Sequence, residues 1–164
     1  MATVLVEDRG TKRARTVEFK TKRPIDKKLI SIDKGTLNTT QVSTDLLTAT
    51  FPCTITGLRW SLAIIQDGGA GSCKADWAIV VAREGIAPDT LVSSDGSTTY
   101  NPEQDVLTFG SVLFRDNQNS VIADGSTKTM RKLMGGDKLV FIARGSSAVD
   151  TIGINGIIQF FCKS

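Results

Sequence analysis

Two clusters of basic residues near the start of the chain have the side-chain chemistry best suited to binding a ligand. The first 28 residues hold nine of the 20 Lys and Arg of the chain, with four acidic residues among them. The clusters consist of Lys12, Arg13 and Arg15, followed by Lys20, Lys22 and Arg23. Lys is a compact charge and Arg a planar fork of donors, and both contact phosphate oxygens without reading a base sequence. We therefore predict that these six residues bind a polyanion, with nucleic acid favoured over the alternative of a solvated tail that aids solubility.

Charge is distributed unevenly along the chain. Residues 1–28 carry a net charge of +5 and residues 29–164 a net charge of −2, within an overall +3. The length of 164 residues fits one domain with a sizeable core. We therefore predict a basic N-terminal arm over residues 1–28 and one folded domain over residues 29–164.

Catalytic residue sets that depend on histidine are missing from the sequence, and the scattered carboxylates leave paired-acid hydrolysis open but unsupported. The chain contains no His, which removes His-ligated zinc, Ser-His-Asp and Cys-His chemistry. Its three cysteines, Cys53, Cys73 and Cys162, are far apart and, with no secretion signal visible, are expected to be reduced thiols in a protein made in the cytosol. The segment "DGGAGSCK" lacks the spacing of a phosphate-binding loop and is better explained as a hairpin turn. We predict a protein that is not an enzyme and that has no cofactor or metal.

The rest of the chain alternates between apolar and polar residues with a period of two. In "CTITGLRWSLAIIQ", Leu58, Trp60, Leu62 and Ile64 share one face, which is the pattern of a half-buried strand. Eight such runs are predicted, at residues 28–33, 41–50, 54–66, 75–84, 106–115, 127–134, 138–144 and 151–162. Alternating Val4 with Val6 and Val17 with Phe19 indicates further strands in the arm.

Turn residues separate these runs. "MGGDK" is typical of a tight hairpin in which Gly135 and Gly136 can take positive φ. Residues 85–105 are too long and polar for a plain hairpin and are predicted to form a surface loop. Many strands, no helical period and one long loop predict an all-β, eight-stranded jelly-roll sandwich, with Trp60 and Trp77 in its interior.

Several stretches of the chain resemble a known family of viral proteins. They are "TATFPCTITGLRWSL", "ADWAIVVAREG", "TKTMRKLMGGDKLVFIARGS" and "GIIQFFCKS". Together these stretches, within residues 40–164, resemble capsid proteins of small circular single-stranded DNA viruses that encode a Rep protein, the circovirus-like group. The resemblance implies a single jelly-roll capsid protein, sixty copies in the smallest (T=1) icosahedral shell, and a basic arm facing the genome. This arm departs from the long Arg-rich arms of circoviruses because it is short and contains acidic residues, so we expect it to pack partly against the shell.

The function predicted from these features is that of a viral capsid protein. It would assemble with itself and package single-stranded DNA through non-specific electrostatic contacts, in the virion and the host nucleus, with no membrane partner. The two arm clusters would also serve host nuclear import receptors. Lys128, Arg131 and Lys132 of "TKTMRKL" would join the DNA contacts, with a solvated exterior role as the equal alternative.

Three other classes of protein are compatible with a β-rich chain. The main alternative is a non-capsid nucleic-acid-binding β-barrel module, which the small number of aromatic residues outside apolar runs disfavours. A cupin-type enzyme needs His ligands, and an extracellular trimeric ligand needs a secretion signal.

Overall fold

A computed structural model of the chain describes residues 3–6, 15–18, 25–37, 39–67, 73–88, 105–115, 119–146 and 151–163. These residues form ten β-strands. In chain order the strands are β1 (Thr3–Val6), β2 (Arg15–Glu18), β3 (Ile25–Leu37), β4 (Val42–Thr48), β5 (Cys53–Asp67), β6 (Cys73–Ala82), β7 (Asp105–Phe114), β8 (Ser120–Leu133), β9 (Lys138–Gly145) and β10 (Thr151–Lys163).

Eight of these strands form a sandwich of two four-stranded sheets. The first sheet has the order β3-β10-β5-β8 and the second the order β4-β9-β6-β7, and all neighbours are antiparallel. From β3 to β10 the chain changes sheet at every connection except that between β6 and β7. This interleaving is that of a jelly roll, so the predicted fold class is confirmed.

The arm begins with a two-stranded unit of its own. Strands β1 and β2 pair antiparallel, with Val4 opposite Val17. Both lie where valine alternation predicted strands, whereas Phe19 is outside the described residues. The jelly roll begins at Ile25, so residues 25–28 of the predicted arm already pair with β10.

The main core lies between the two sheets. The face of β5 predicted to be apolar points inward, with Leu58, Leu62 and Ile64 almost fully buried. Trp77 of the second sheet is also buried, whereas Trp60 is half-buried and packs against the core from the first sheet. The interior position of Trp77 is therefore confirmed, and that of Trp60 holds for part of its side chain. None of the three cysteines forms a disulfide.

The second sheet is buried on both of its faces near the centre. Besides the inward residues of β6 and β9, the alternate residues Ala78, Val80, Ala82, Val140 and Ile142 form a second buried cluster. Because successive side chains of a strand point to opposite faces, this cluster lies on the side of the sheet away from the main core. Burial on both faces explains why "DKLVFIARG" is apolar almost throughout.

The turn between β8 and β9 has the predicted chemistry. The amide N–H of Asp137 donates to the carbonyl of Met134 at 3.2 Å, closing a β-turn. Gly136 takes a φ of +90°, as the sequence predicted for this hairpin. Of the predicted surface loop at 85–105, the residues at 85–87 are exposed and those at 89–104 are outside the described residues.

Candidate nucleic-acid interface

Five exposed cations share the outer face of the first sheet, at one end of it. We call this set the basic face, and it consists of Lys27, Arg59, Lys128, Lys132 and Lys163. Each is exposed, and the strand register pairs them in rows whose alternate rows, such as that of Leu58 and Phe160, are buried. Strand alternation therefore places all five on the surface of the sandwich.

The strand register brings these cations into three successive rows. In the first row Thr54 of β5 lies between Lys163 of β10 and Lys132 of β8. The second row runs across all four strands, in the order Lys27, Phe161, Gly57 and Lys128. Arg59, opposite Gln159, belongs to the third row. With strands about 4.8 Å apart and about 3.4 Å per residue, the five charges occupy a square of roughly 14 Å on a side.

None of these five cations forms an ion pair within the part of the chain that the structure describes. By contrast, Lys74, Arg83, Arg131 and Lys138 all pair with carboxylates at 3.5 Å or less. Asp124 lies on the same outer face, in the row beyond Arg59, and is the diagonal neighbour of Arg59. No ion pair joins Asp124 to Arg59. The basic face is therefore a concentrated, unneutralised positive surface, which an anion would stabilise.

Arg131 behaves differently from the two lysines predicted alongside it. Lys128 and Lys132 lie on the outer face, whereas the alternation of β8 turns Arg131 toward the second sheet. There its guanidinium contacts Asp105 Oδ1 at 2.8 Å. Asp105 also lies 3.5 Å from Arg83, which donates to Asp137 at 2.7 Å, so the four side chains link the ends of β6, β7 and β8 to the β8–β9 turn.

Asp137 is the most constrained acid of this network. It is buried, and its carboxylate accepts the backbone N–H of Met134 at 2.8 Å and that of Glu84 at 3.3 Å, besides the Arg83 hydrogen bond. The Met134 amide is the largest cause that lowers the pKa of Asp137 below its ordinary value; Arg83 and the Glu84 amide add to it, and burial opposes it. These contacts make Asp137 a structural anchor of the turn.

The N-terminal arm enters the sandwich beside the basic face. Ile25, the first residue of β3, lies opposite Lys163 at the end of β10. The chain that precedes Ile25 carries the predicted clusters, so their attachment point is the end of the sheet at which the basic face lies.

A shallow depression of about 280 Å³ lies within the basic face. It forms where the pairing of β5 with both neighbours shifts register around Thr56. Its lining includes Arg59, Lys128 and the half-buried ring of Phe161, together with the hydroxyl-bearing residues Thr56, Ser126 and Thr127. It combines positive charge, hydroxyl groups and an aromatic surface.

The predicted site residues are therefore distributed over three regions. Lys12, Arg13, Lys20, Lys22 and Arg23 lie outside the described residues, and Arg15 lies on β2, where only its backbone is described. Lys128 and Lys132 are on the basic face, and Arg131 is in the ion-pair network. Their role in binding nucleic acid stays a prediction.

Four residues of this surface were not predicted as site residues from the sequence. Lys27, Arg59, Lys163 and Phe161 were all outside the predicted set. The alternation of "GIIQFFCK" contained the signal: Ile158 and Phe160 are buried, so Phe161 and Lys163 must face outward with Gln159.

Other kinds of site find no support in the described parts of the chain. No group of three or more acidic, Cys or His side chains there is placed to hold a metal ion. Nor does any helix there have the length and hydropathy needed to cross a membrane.

Comparison with known proteins shows a distant likeness in fold. The sequence matches no protein-family model and no curated protein. Dimeric latent PorU from Porphyromonas gingivalis is 10% identical, with a TM-score of 0.45 over 85% of this chain and 13% of that one. A pentameric capsid protein from metagenomic phage sequences is 18% identical, with a TM-score of 0.34 over 79% of this chain and 59% of that one. A structure of Desmodium yellow mottle tymovirus is 11% identical, with a TM-score of 0.37 over 88% of this chain and 91% of that one.

These similarities are limited in extent. The chain spans less than two thirds of the length of the PorU and phage chains. At such identities the likeness concerns the β fold and not what the chain binds.

Proposed function

We propose that this chain is a viral capsid subunit that assembles into a small icosahedral shell and packages single-stranded DNA by non-specific electrostatic contacts. The observation that carries the proposal is the cluster of five exposed cations on the basic face, at the end of the sheet where Ile25 joins the segment that carries the arm clusters. A surface of this kind suits a long polyanion better than a small ligand.

The chemistry of the basic face favours phosphate contacts that ignore sequence. Four of its five cations are lysines, which act as point charges, and none is held by a carboxylate of the described residues. Each phosphate that they neutralise releases condensed counterions, so affinity should fall steeply as salt is raised. Packaging a whole genome needs this kind of sequence-independent binding.

The jelly roll and the sequence resemblance together motivate the capsid part of the proposal. Jelly rolls occur in viral capsids, lectins and cupins, so the fold alone does not select among them. The stretches that resemble circovirus-like capsid proteins run along β5, β6, β8, β9 and β10, which build most of both sheets. We extend the resemblance to sixty copies in a T=1 shell with the arm and the basic face toward the lumen.

The main alternative is a nucleic-acid-binding module that does not assemble. An OB-type barrel is a five-stranded, partly open Greek-key barrel, whereas this chain has two separate four-stranded sheets. A non-assembling jelly roll with the same basic face would bind DNA equally well. Assembly is therefore the property that separates the two functions.

Size-exclusion chromatography with light scattering, followed by negative-stain microscopy, tests the proposal. Sixty subunits of 17.6 kDa should give uniform shells of about 1.1 MDa before nucleic acid is added. Shells purified after nuclease treatment should absorb more strongly at 260 nm than protein alone. A chain that remains monomeric at high concentration, with and without single-stranded DNA, would overturn the capsid function.

The arm has a proposed second role in the free subunit. Its two basic clusters have the composition of a nuclear import signal. Residues 1–28 fused to a fluorescent protein too large to diffuse through nuclear pores should accumulate in nuclei. A fusion in which the six cluster residues are replaced by Ser should stay in the cytosol, and equal nuclear entry of both fusions would contradict this role.

A further inference from the structure

The depression in the basic face has a more specific architecture than electrostatic packaging requires. Phe161 lies opposite Gly57, and a Cβ atom added at Gly57 would lie 3.6 Å from Cδ2 of the Phe161 ring. Gly57 lines the floor of the depression and is itself buried, and the absence of a side chain there lets the ring of Phe161 lie close to β5. Gly57 also lies opposite Lys128, which lines the depression from β8.

Polar groups complete the lining of the depression. Arg59 lies two residues along β5 from Gly57, so the cations of Arg59 and Lys128 both border the depression beside the ring. Thr56 and Thr127 donate their hydroxyl hydrogens to the backbone carbonyls of Phe161 and Lys128, each at 3.4 Å. No carboxylate belongs to the lining, so nothing there opposes an anion.

We propose that this depression binds one nucleotide unit of single-stranded nucleic acid, with its phosphate on Arg59 and Lys128 and its base against the ring of Phe161. The inference rests on the proposed function, because it assigns to the packaged strand one defined contact in each subunit. At about 280 Å³ the depression is at the small end of the range for ligand pockets, so the proposed contact is limited to one nucleotide unit. An aromatic ring accepts every base, since every base has a π-face, so the contact keeps packaging independent of sequence.

The proposed contact distinguishes single strands from duplexes. In a duplex the faces of the bases are stacked on one another, and only the phosphates are open to a flat protein surface. A single strand can turn a base toward Phe161 while its phosphate meets Arg59 and Lys128. The ring of Phe161 therefore adds a preference for single strands over duplexes, which the five cations alone do not provide.

The test compares two oligonucleotides of equal length and charge on the full-length subunit, kept below the concentration at which it assembles. One is a fluorescent 20-mer of thymidine and the other an abasic 20-mer with the same phosphates. The natural chain should bind the thymidine oligonucleotide more tightly by about fivefold to 150-fold, the range that one base–aromatic stack is worth. Phe161→Leu should remove most of this preference without changing the salt dependence, whereas Phe161→Tyr should retain it.

Two further variants separate the phosphate from the base. Arg59→Gln with Lys128→Gln should weaken binding of both oligonucleotides and flatten the salt dependence by about 0.7 per lost phosphate contact. Gly57→Ala should fill the floor of the depression, since its Cβ would make ordinary contacts at 3.5 and 3.6 Å, and so lower the base preference in a folded chain. Gly57→Ala also keeps the test valid if Phe161→Leu does not fold.

Matched controls lie on the second sheet, away from the depression. Phe109→Leu removes an exposed ring and Arg115→Gln an exposed cation, and both should leave the base preference unchanged. If the natural chain binds the two oligonucleotides equally and with a steep salt dependence, the proposed nucleotide site is wrong. The proposed packaging function would not be affected by that result. Equally tight binding of a sulfated glycan of matched charge would also overturn it. Failure to bind either oligonucleotide would instead reject the proposed packaging function.

Discussion

The indole ring of Trp60 lies directly over Gly125, its partner on the neighbouring strand β8, so closely that a Cβ atom at Gly125 would overlap the ring. The second sheet repeats this arrangement, with Trp77 over Gly110, its partner on β7. The two indoles then meet edge to face across the sandwich, with ring centres 5.5 Å apart. Each large ring is thus accommodated by a glycine on the edge strand beside it.

Replacing either glycine by alanine should destabilise the fold. At Gly110 the new Cβ would lie 2.5 Å from Trp77, whose ring is buried and also stacked on Phe141, so the ring has little room to move. We expect Gly110→Ala to lower the free energy of unfolding by about 1–3 kcal/mol. Gly125→Ala should cost less because Trp60 is half-buried and can shift. Denaturant unfolding would measure both, with Gly57→Ala as the control whose Cβ makes only ordinary van der Waals contacts. A smaller loss for Gly110→Ala than for Gly57→Ala would contradict the argument.

Truncating the two tryptophans should have unequal effects. Trp77→Ala removes a buried ring from the centre of the core and should cost about 3–5 kcal/mol. Trp60→Ala should cost less than Trp77→Ala, since part of its side chain is already in contact with solvent. Thermal unfolding followed by circular dichroism would rank the two, and equal losses would mean that exposure does not set the difference.

Stability should fall in acid because of Asp137. The pKa of its carboxyl is lowered in the folded chain from an ordinary value of 3.8, so its contribution is complete above that value. As the pH falls below 3.8 toward the folded pKa, the carboxylate is protonated and the contribution is lost. Asp137→Asn should therefore cost about 1.5–3 kcal/mol near neutral pH, the range for hydrogen bonds to a charged group.

A pH series of denaturant unfolding would check this expectation. The stability difference between the natural chain and Asp137→Asn should shrink once the pH drops below 3.8. Asp45→Asn is the matched control, because Asp45 forms an exposed pair with Lys138 that should contribute at most about 1 kcal/mol. A difference that stays constant down to pH 2 would show that the Asp137 charge is not the cause.

The arm and the basic face should contribute separately to nucleic-acid binding. The six arm residues replaced by Ser should leave the jelly roll folded, since it starts at Ile25, while reducing packaged nucleic acid and the salt dependence of binding. Lys27, Lys132 and Lys163 replaced by Gln should flatten the salt dependence further. The measurements are the 260/280 nm absorbance ratio of shells and salt-dependent binding of the free subunit to single-stranded DNA. If the arm variant packages nucleic acid normally and its salt dependence is unchanged, the positive charge of the arm would instead serve nuclear import or contacts between subunits.

Alternation along the chain was sufficient to predict most of the fold. A strand that is buried on one face must repeat apolar residues with a period of two, so each of the eight predicted runs overlaps a strand of the sandwich. The main deviation is β8, which begins at Ser120 rather than at residue 127. Its inward positions there include Ala123 and Gly125, which are too small to give a clear apolar signal. Gly125 has no side chain at a position where the ring of Trp60 would overlap one.

The composition of the site was visible in the sequence, but its arrangement depends on pairing between distant strands. Lys27, Arg59, Lys128 and Lys163 come from four strands, and only the order β3-β10-β5-β8 places them on one face. The depression lies at the register shift around Thr56, where β5 pairs with two strands that are distant from it in sequence. The sequence by itself determined that Lys128, Arg131 and Lys132 are cations within six residues of one another. Only the tertiary structure decided that Arg131 faces the second sheet and pairs with Asp105, while the two lysines form no ion pair with any described residue.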